Sequence, residues 1–117
     1  MELTIIKAAR DIPASKLEPR GQVVEPIGSP VASILSSSFH TEPDIGVWEC
    51  SIGKWRRQVK NAEFCYFLAG RCIFHADSGR TIHINAGDVV FFPPNTAGTW
   101  EVIETIRKTY VLLGASA

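Results

Sequence analysis

The sequence predicts an all-β domain, a sandwich or closed barrel, on three observations. From Val31 onward, short apolar and β-branched runs alternate with turn signals. No stretch carries an apolar repeat of 3.6 residues, so no long helix is expected. Several runs are apolar on both faces, which requires that both faces be covered.

The elements follow in order. Leu3–Lys7 reads as a short strand. Residues 8–30 hold Pro13, Pro19, Pro26 and Pro30, with Gly21 and Gly28 between them. Proline at that density removes backbone donors and breaks helix and central strand alike. Residues 1–30 are therefore read as an irregular N-terminal arm, and 31–117 as a single barrel domain. Strands are expected at Val31–Ser37, Gly46–Ser51, Glu63–Leu68, Arg71–Ala76, Thr81–Ile84, Val89–Phe92, Thr99–Glu104 and Lys108–Leu113. The turns between them include Pro43-Asp44, Ala69-Gly70, Asp77-Ser78-Gly79, Ala86-Gly87-Asp88 and Pro93-Pro94-Asn95. In Glu63–Leu68 one face carries Glu63, Cys65 and Phe67, and the other Phe64, Tyr66 and Leu68. A chain this small has few elements to cover an outer face, so a homodimer formed sheet against sheet is expected.

Composition bounds the function. The 117 residues make one domain, with one core. Twelve Lys and Arg balance twelve Asp and Glu, which leaves no global field to attract nucleic acid or an anionic membrane. The basic pairs Arg56-Arg57 and Arg107-Lys108 read as solvated or salt-bridged strand ends before they read as anion contacts. No 18-residue apolar run is present, so no transmembrane helix is expected. The first residues lack the basic start and apolar core of a secretory signal, which points to the cytoplasm. Cys50, Cys65 and Cys72 are an odd number at no zinc spacing, as expected of reduced thiols that fill core space.

Certain motifs narrow the fold further. Gly46-Val47-Trp48-Glu49-Cys50 leads through Gly53-Lys54-Trp55-Arg56-Arg57 to Glu63-Phe64-Cys65-Tyr66 and Gly70. Gly87-Asp88, Phe92-Pro93 and Gly98-Thr99-Trp100-Glu101-Val102 follow. Over residues 31–113 the chain closely resembles the small single-domain cupins grouped with the cupin domain of (S)-ureidoglycine aminohydrolase. That resemblance implies an RmlC-like jelly-roll cupin barrel.

In metal-binding cupins the first motif runs Gly, two histidines one residue apart, Glu, Gly, and the second supplies a further histidine after a Pro. Glu63 and Gly70 keep the Glu-to-Gly interval, and counting back from Glu63 puts the histidine positions at Arg56 and Gln58. Gly87 and Pro93 fit the second motif, with Gly98 in the histidine's place. Only Glu63 remains of four ligands. One carboxylate and one amide do not hold zinc, iron or manganese tightly, so no metal and no cofactor are expected. His75 and His83 flank a hairpin turn; with a two-residue Ser78-Gly79 loop they fall on opposite faces, and a one-residue shift would unite them. His40 sits in a polar loop.

Period-two alternation sketches a pocket that holds Arg56, Gln58, Glu63, Cys65 and Trp100, with Trp55 named beside Trp100 as a surface on which a ligand would stack. A carboxylate and a guanidinium in one apolar cavity would pair. Three functions are compatible with it. The first is a metal-free cupin that binds a small polar or ureido-like molecule between aromatic walls. The second is an enzyme, aminohydrolase-like or isomerase-like, with Glu63 as general base, its pKa raised by burial, assisted by Lys108 or Tyr110. The expected register puts Lys108 and Tyr110 on the outer face, and a one-residue slip would turn them inward. The third is a structural or regulatory dimer without a ligand.

Overall fold

The computed structural model describes residues 3–21, 23–36 and 44–114, with Gln58 described by its backbone alone. Among these residues the chain forms nine antiparallel strands and one 3-10 turn, Ala14–Lys16. The strands are β1 (Glu18–Pro19), β2 (Val24–Ile27), β3 (Ala32–Ser36), β4 (Asp44–Cys50), β5 (Gly53–Val59), β6 (Ala62–Ala76), β7 (Thr81–Asn85), β8 (Val89–Phe92) and β9 (Thr96–Leu113).

Two long strands organise the fold. On one edge β9 pairs with β6 from Ala62 to Ala76. On its other edge it pairs with β5 through Thr96–Val102 and with β4 through Ile106–Leu112. The free edge of β6 takes β8 at Glu63–Tyr66 and β7 at Arg71–His75. β3 and β1 extend the sheet beyond β4, and β2 extends it beyond β5. The sheet curls into an all-β jelly-roll barrel, as expected.

The expected strands Glu63–Leu68 and Arg71–Ala76 are one strand, as are Thr99–Glu104 and Lys108–Leu113. Ala69-Gly70 is a bend inside β6, not a hairpin. Register shifts cluster between Phe67 and Cys72, and Gly70 has φ +79. A side chain there would strike the Thr105 carbonyl, so glycine lets the two long strands turn the corner together. β5 was not anticipated. Its polar residues Lys54, Arg56 and Gln58 recur at every second position, the mark of a half-buried strand.

The arm is partly ordered onto the barrel. Leu17 and Val23 are buried, and β1 and β2 join the sheet edges. Arg107 holds the preceding turn, donating to the carbonyls of Arg10 at 3.1 Å and Ile12 at 2.5 Å. Its Nη2 donates to Glu49 at 2.8 Å. Leu3–Ile6 joins no strand, contrary to the expected strand at Leu3–Lys7. Arg57, Arg107 and Lys108 are buried rather than solvated, and the residues of both basic pairs are salt-bridged, to Asp77, Glu63 and Glu49.

The core packs Phe67, Phe74, Phe92, Trp100, Ile84 and Ile106 with the three cysteines. All three thiols are free and buried, as expected of core fillers. Burial pushes Cys65 and Cys72 up to about 12 and Cys50 up to about 11, which keeps them protonated. No helix among the described residues is long and apolar enough to cross a membrane.

Candidate functional site: an aromatic cavity over a doubly paired carboxylate

β5 and β9 run side by side with Trp55 opposite Trp100 and Arg57 opposite Gly98. On the other side of the barrel Trp48 of β4 lies opposite Lys108 of β9, and Gly46 opposite Tyr110. These inward residues surround a cavity of about 200 Å³. Trp48, Trp55 and Trp100 form its aromatic wall, with ring centroids 6.0 Å apart for Trp48–Trp55 and 5.9 Å for Trp48–Trp100.

Glu63 of β6 lies at the base and is 6% exposed. Arg57 Nη2 donates to its Oε1 at 2.8 Å, and Lys108 Nζ donates to its Oε2 at 2.7 Å. Cys65 Sγ adds a third donor to Oε2 at 3.1 Å. Burial by itself would raise the Glu63 pKa, but Lys108 and Arg57 reverse it and hold the carboxyl down at about 2. Both cations also lie over rings: Arg57 is 4.2 Å from the Phe92 centroid and Lys108 4.7 Å from that of Trp48. The remaining Arg57 bond goes from Nη1 to the Thr96 carbonyl at 3.0 Å.

Of the site residues expected from sequence, Trp55, Glu63 and Trp100 line the cavity. Arg56 does not. It points outward and grips Asp77 through two bonds of 2.7 Å. The inward guanidinium is Arg57: the count back from Glu63 is one residue out of step with the inward face of β5, and one residue changes the face. The Gln58 side chain lies outside what is described; its backbone pairs with Ala97. Cys65 is fully buried behind Glu63 and belongs to the core. Lys108 and Tyr110, expected on the outer face, point inward and line the cavity. The expectation that burial raises the Glu63 pKa is also corrected. Sequence reasoning missed Arg57, Trp48 and Arg20 as cavity residues; the period-two polarity of β5 held the signal for Arg57.

The hairpin register is shifted by one residue from a two-residue loop: His75 lies opposite Thr81, and His83 opposite Ile73. Both histidines therefore share the outer face, where His75 Nε2 meets Glu101 at 2.8 Å. His40 lies outside the described residues.

The residues at the metal position of this fold do not suit a metal. Trp55 and Arg57 occupy the inward places on β5, and an arginine offers no lone pair. Glu63 already satisfies two cations. At position 98 a side chain would begin 2.5 Å from the His75 carbonyl oxygen and 2.5 Å from Phe74 Cζ, so no histidine fits there. Among the described residues no group of three His, Cys, Asp or Glu side chains is placed to hold a metal ion.

Comparison with known proteins agrees with the architecture. The profile of the EutQ-like cupin domain matches residues 39–110. A DUF861 family protein from Thermotoga maritima is 31% identical, over 57% of this chain and 76% of that one, with a TM-score of 0.56. The EutQ protein of Clostridium difficile is 22% identical, over 72% of this chain and 68% of that one, with a TM-score of 0.63. A predicted oxalate decarboxylase from Thermotoga maritima is 19% identical, over 86% and 96%, with a TM-score of 0.64. The last two are similar in fold alone. No curated protein matches the chain. With the profile spanning most of the barrel, the chain belongs to the EutQ-like cupin domain family.

Proposed function

We propose that this protein is a metal-independent cupin that binds a small polar molecule, ureido-like in size, in the tryptophan-walled cavity. The observation that carries the reading is the double pairing of Glu63 with Arg57 and Lys108, which occupies the one carboxylate a metal would need. Aromatic walls with a few convergent polar groups are the usual make-up of a small-molecule site. The test is a thermal-shift screen of small polar compounds on untagged protein, with and without a chelator. A hit that survives chelation supports the reading. Stoichiometric manganese, zinc or iron, with binding lost on chelation, overturns it.

A second reading, an enzyme of aminohydrolase or isomerase type, draws on Lys108 and Tyr110 facing the same cavity as Glu63. A carboxylate held near pKa 2 is a weak base, which counts against Glu63 as the proton acceptor. Turnover that Glu63→Gln abolishes while the variant stays folded would favour the enzyme.

We also place the protein in the cytoplasm, where free thiols persist, and as a homodimer. On the outer face of β6 and β8, Phe64 lies opposite Phe91 and Tyr66 opposite Val89. These four are 42–57% exposed and form one apolar patch. A second copy laid sheet against sheet would cover it. Phe91→Glu is expected to convert a dimer to a monomer by light scattering. A wild-type monomer at micromolar concentration overturns the dimer.

A further inference from the structure

The charges that line the cavity do not balance. Arg20, Arg57 and Lys108 face it with Glu63 as the single carboxylate among the lining residues. Glu63 stays ionised at any ordinary pH, since its two cations hold its pKa near 2. Two positive charges are therefore left over inside or beside an apolar chamber, where charge is poorly screened.

The three cations are not equally committed. Arg57 is spent on Glu63 and on the Thr96 carbonyl. Lys108 gives Glu63 one N–H, at 2.7 Å, and an ammonium has three. It also meets the Cys65 sulfur and ring faces, with centroids at 4.7 Å for Trp48 and 5.2 Å for Trp100, and a buried thiol or a ring face is a weaker acceptor than an anion. Arg20 sits at the cavity edge, its backbone N–H fixed to the Ala32 carbonyl at 2.7 Å. Among the described residues its guanidinium forms no ion pair. Asp44, the nearby acid beyond Tyr110, already accepts from Ser36 at 2.8 Å and from Tyr110 at 3.4 Å.

We infer that the cavity selects a small planar molecule with a carboxylate head, which Lys108 and Arg20 read while the tryptophans hold its body. The inference rests on the small-molecule reading above and names the class of ligand. The size is consistent with it: about 200 Å³ is the space of about seven waters, enough for one ring or short chain bearing a carboxylate.

The test is calorimetric titration of the full chain with benzoate and with benzamide, which share a shape and differ in charge. Benzoate is expected to bind about tenfold tighter at low salt, with the advantage shrinking as salt is added. Arg20→Gln, at an exposed position, is expected to remove several-fold of the benzoate affinity and leave benzamide unchanged. In protein carrying ¹⁵N-lysine, the Lys108 ammonium resonance should move with benzoate and not with benzamide. Equal binding of the two probes overturns the carboxylate preference while leaving the small-molecule reading intact. Inorganic phosphate displacing benzoate at equal concentration overturns the carboxylate in favour of another anion. Failure of both probes, together with no hit in the wider screen, overturns both.

Discussion

Arg56 and Arg57 are neighbours in sequence and opposites in setting. Arg56 lies on the outside of β5, bonded twice to Asp77, whose side chain is about half exposed. Arg57 lies inside, 2% exposed, and shares Glu63 with Lys108. The outer pair has the better geometry and contributes little, because water solvates either partner nearly as well as the other does. The inner trio has no such alternative. Each member is tolerable only while the others neutralise it, so removing one strands the rest in an apolar enclosure. Depth, not bond count, sets what an ion pair is worth.

That contrast can be broken in three ways, the largest first. Glu63→Gln leaves two buried cations without a counter-charge and is expected to lower stability by about 3–5 kcal/mol in urea unfolding. A loss indistinguishable from that of a surface variant would mean that water reaches the trio. Next comes acid. The Glu63 pKa falls from an ordinary 4.5 to about 2 on folding, so its contribution is fully present above pH 4.5 and is lost as pH falls through 2. The group should account for about 3 kcal/mol across that window, seen as the difference between wild type and Glu63→Gln in denaturant titrations at each pH. Parallel curves for the two proteins would refute the assignment. The smallest effect belongs to Arg56→Gln, which is expected to leave the melting temperature within the scatter of wild type and cavity binding unaltered. A clear drop in ligand affinity for that variant would return Arg56 to the site.

Much of the barrel was legible in the sequence because its signals are local. Turn residues at Asp77–Gly79 and Ala86–Asp88, and runs such as Val89–Phe92, declare strands without reference to anything distant. The inward set Glu63, Cys65, Phe67, Trp100 and Val102 followed from parity within single strands, and all five are buried. Failures came where two strands had to be aligned. Counting from Glu63 across the β5–β6 connection placed Arg56 inside, and counting across the β7 hairpin separated His75 from His83. In both cases the error was one residue, and in a strand one residue exchanges the faces. Lys108 and Tyr110 were misjudged for the same reason, since β9 was read as two strands with independent parity.

The sequence by itself determined the class of the fold and the absence of histidines from the usual ligand positions, since composition and short-range alternation suffice for both. Only the tertiary structure decided which arginine reaches Glu63, that Lys108 arrives from a strand 45 residues further along the chain, and that position 98 has no room for a side chain. Those facts depend on register between strands distant in sequence. Register is set by the packing of the whole sheet, and no local pattern contains it.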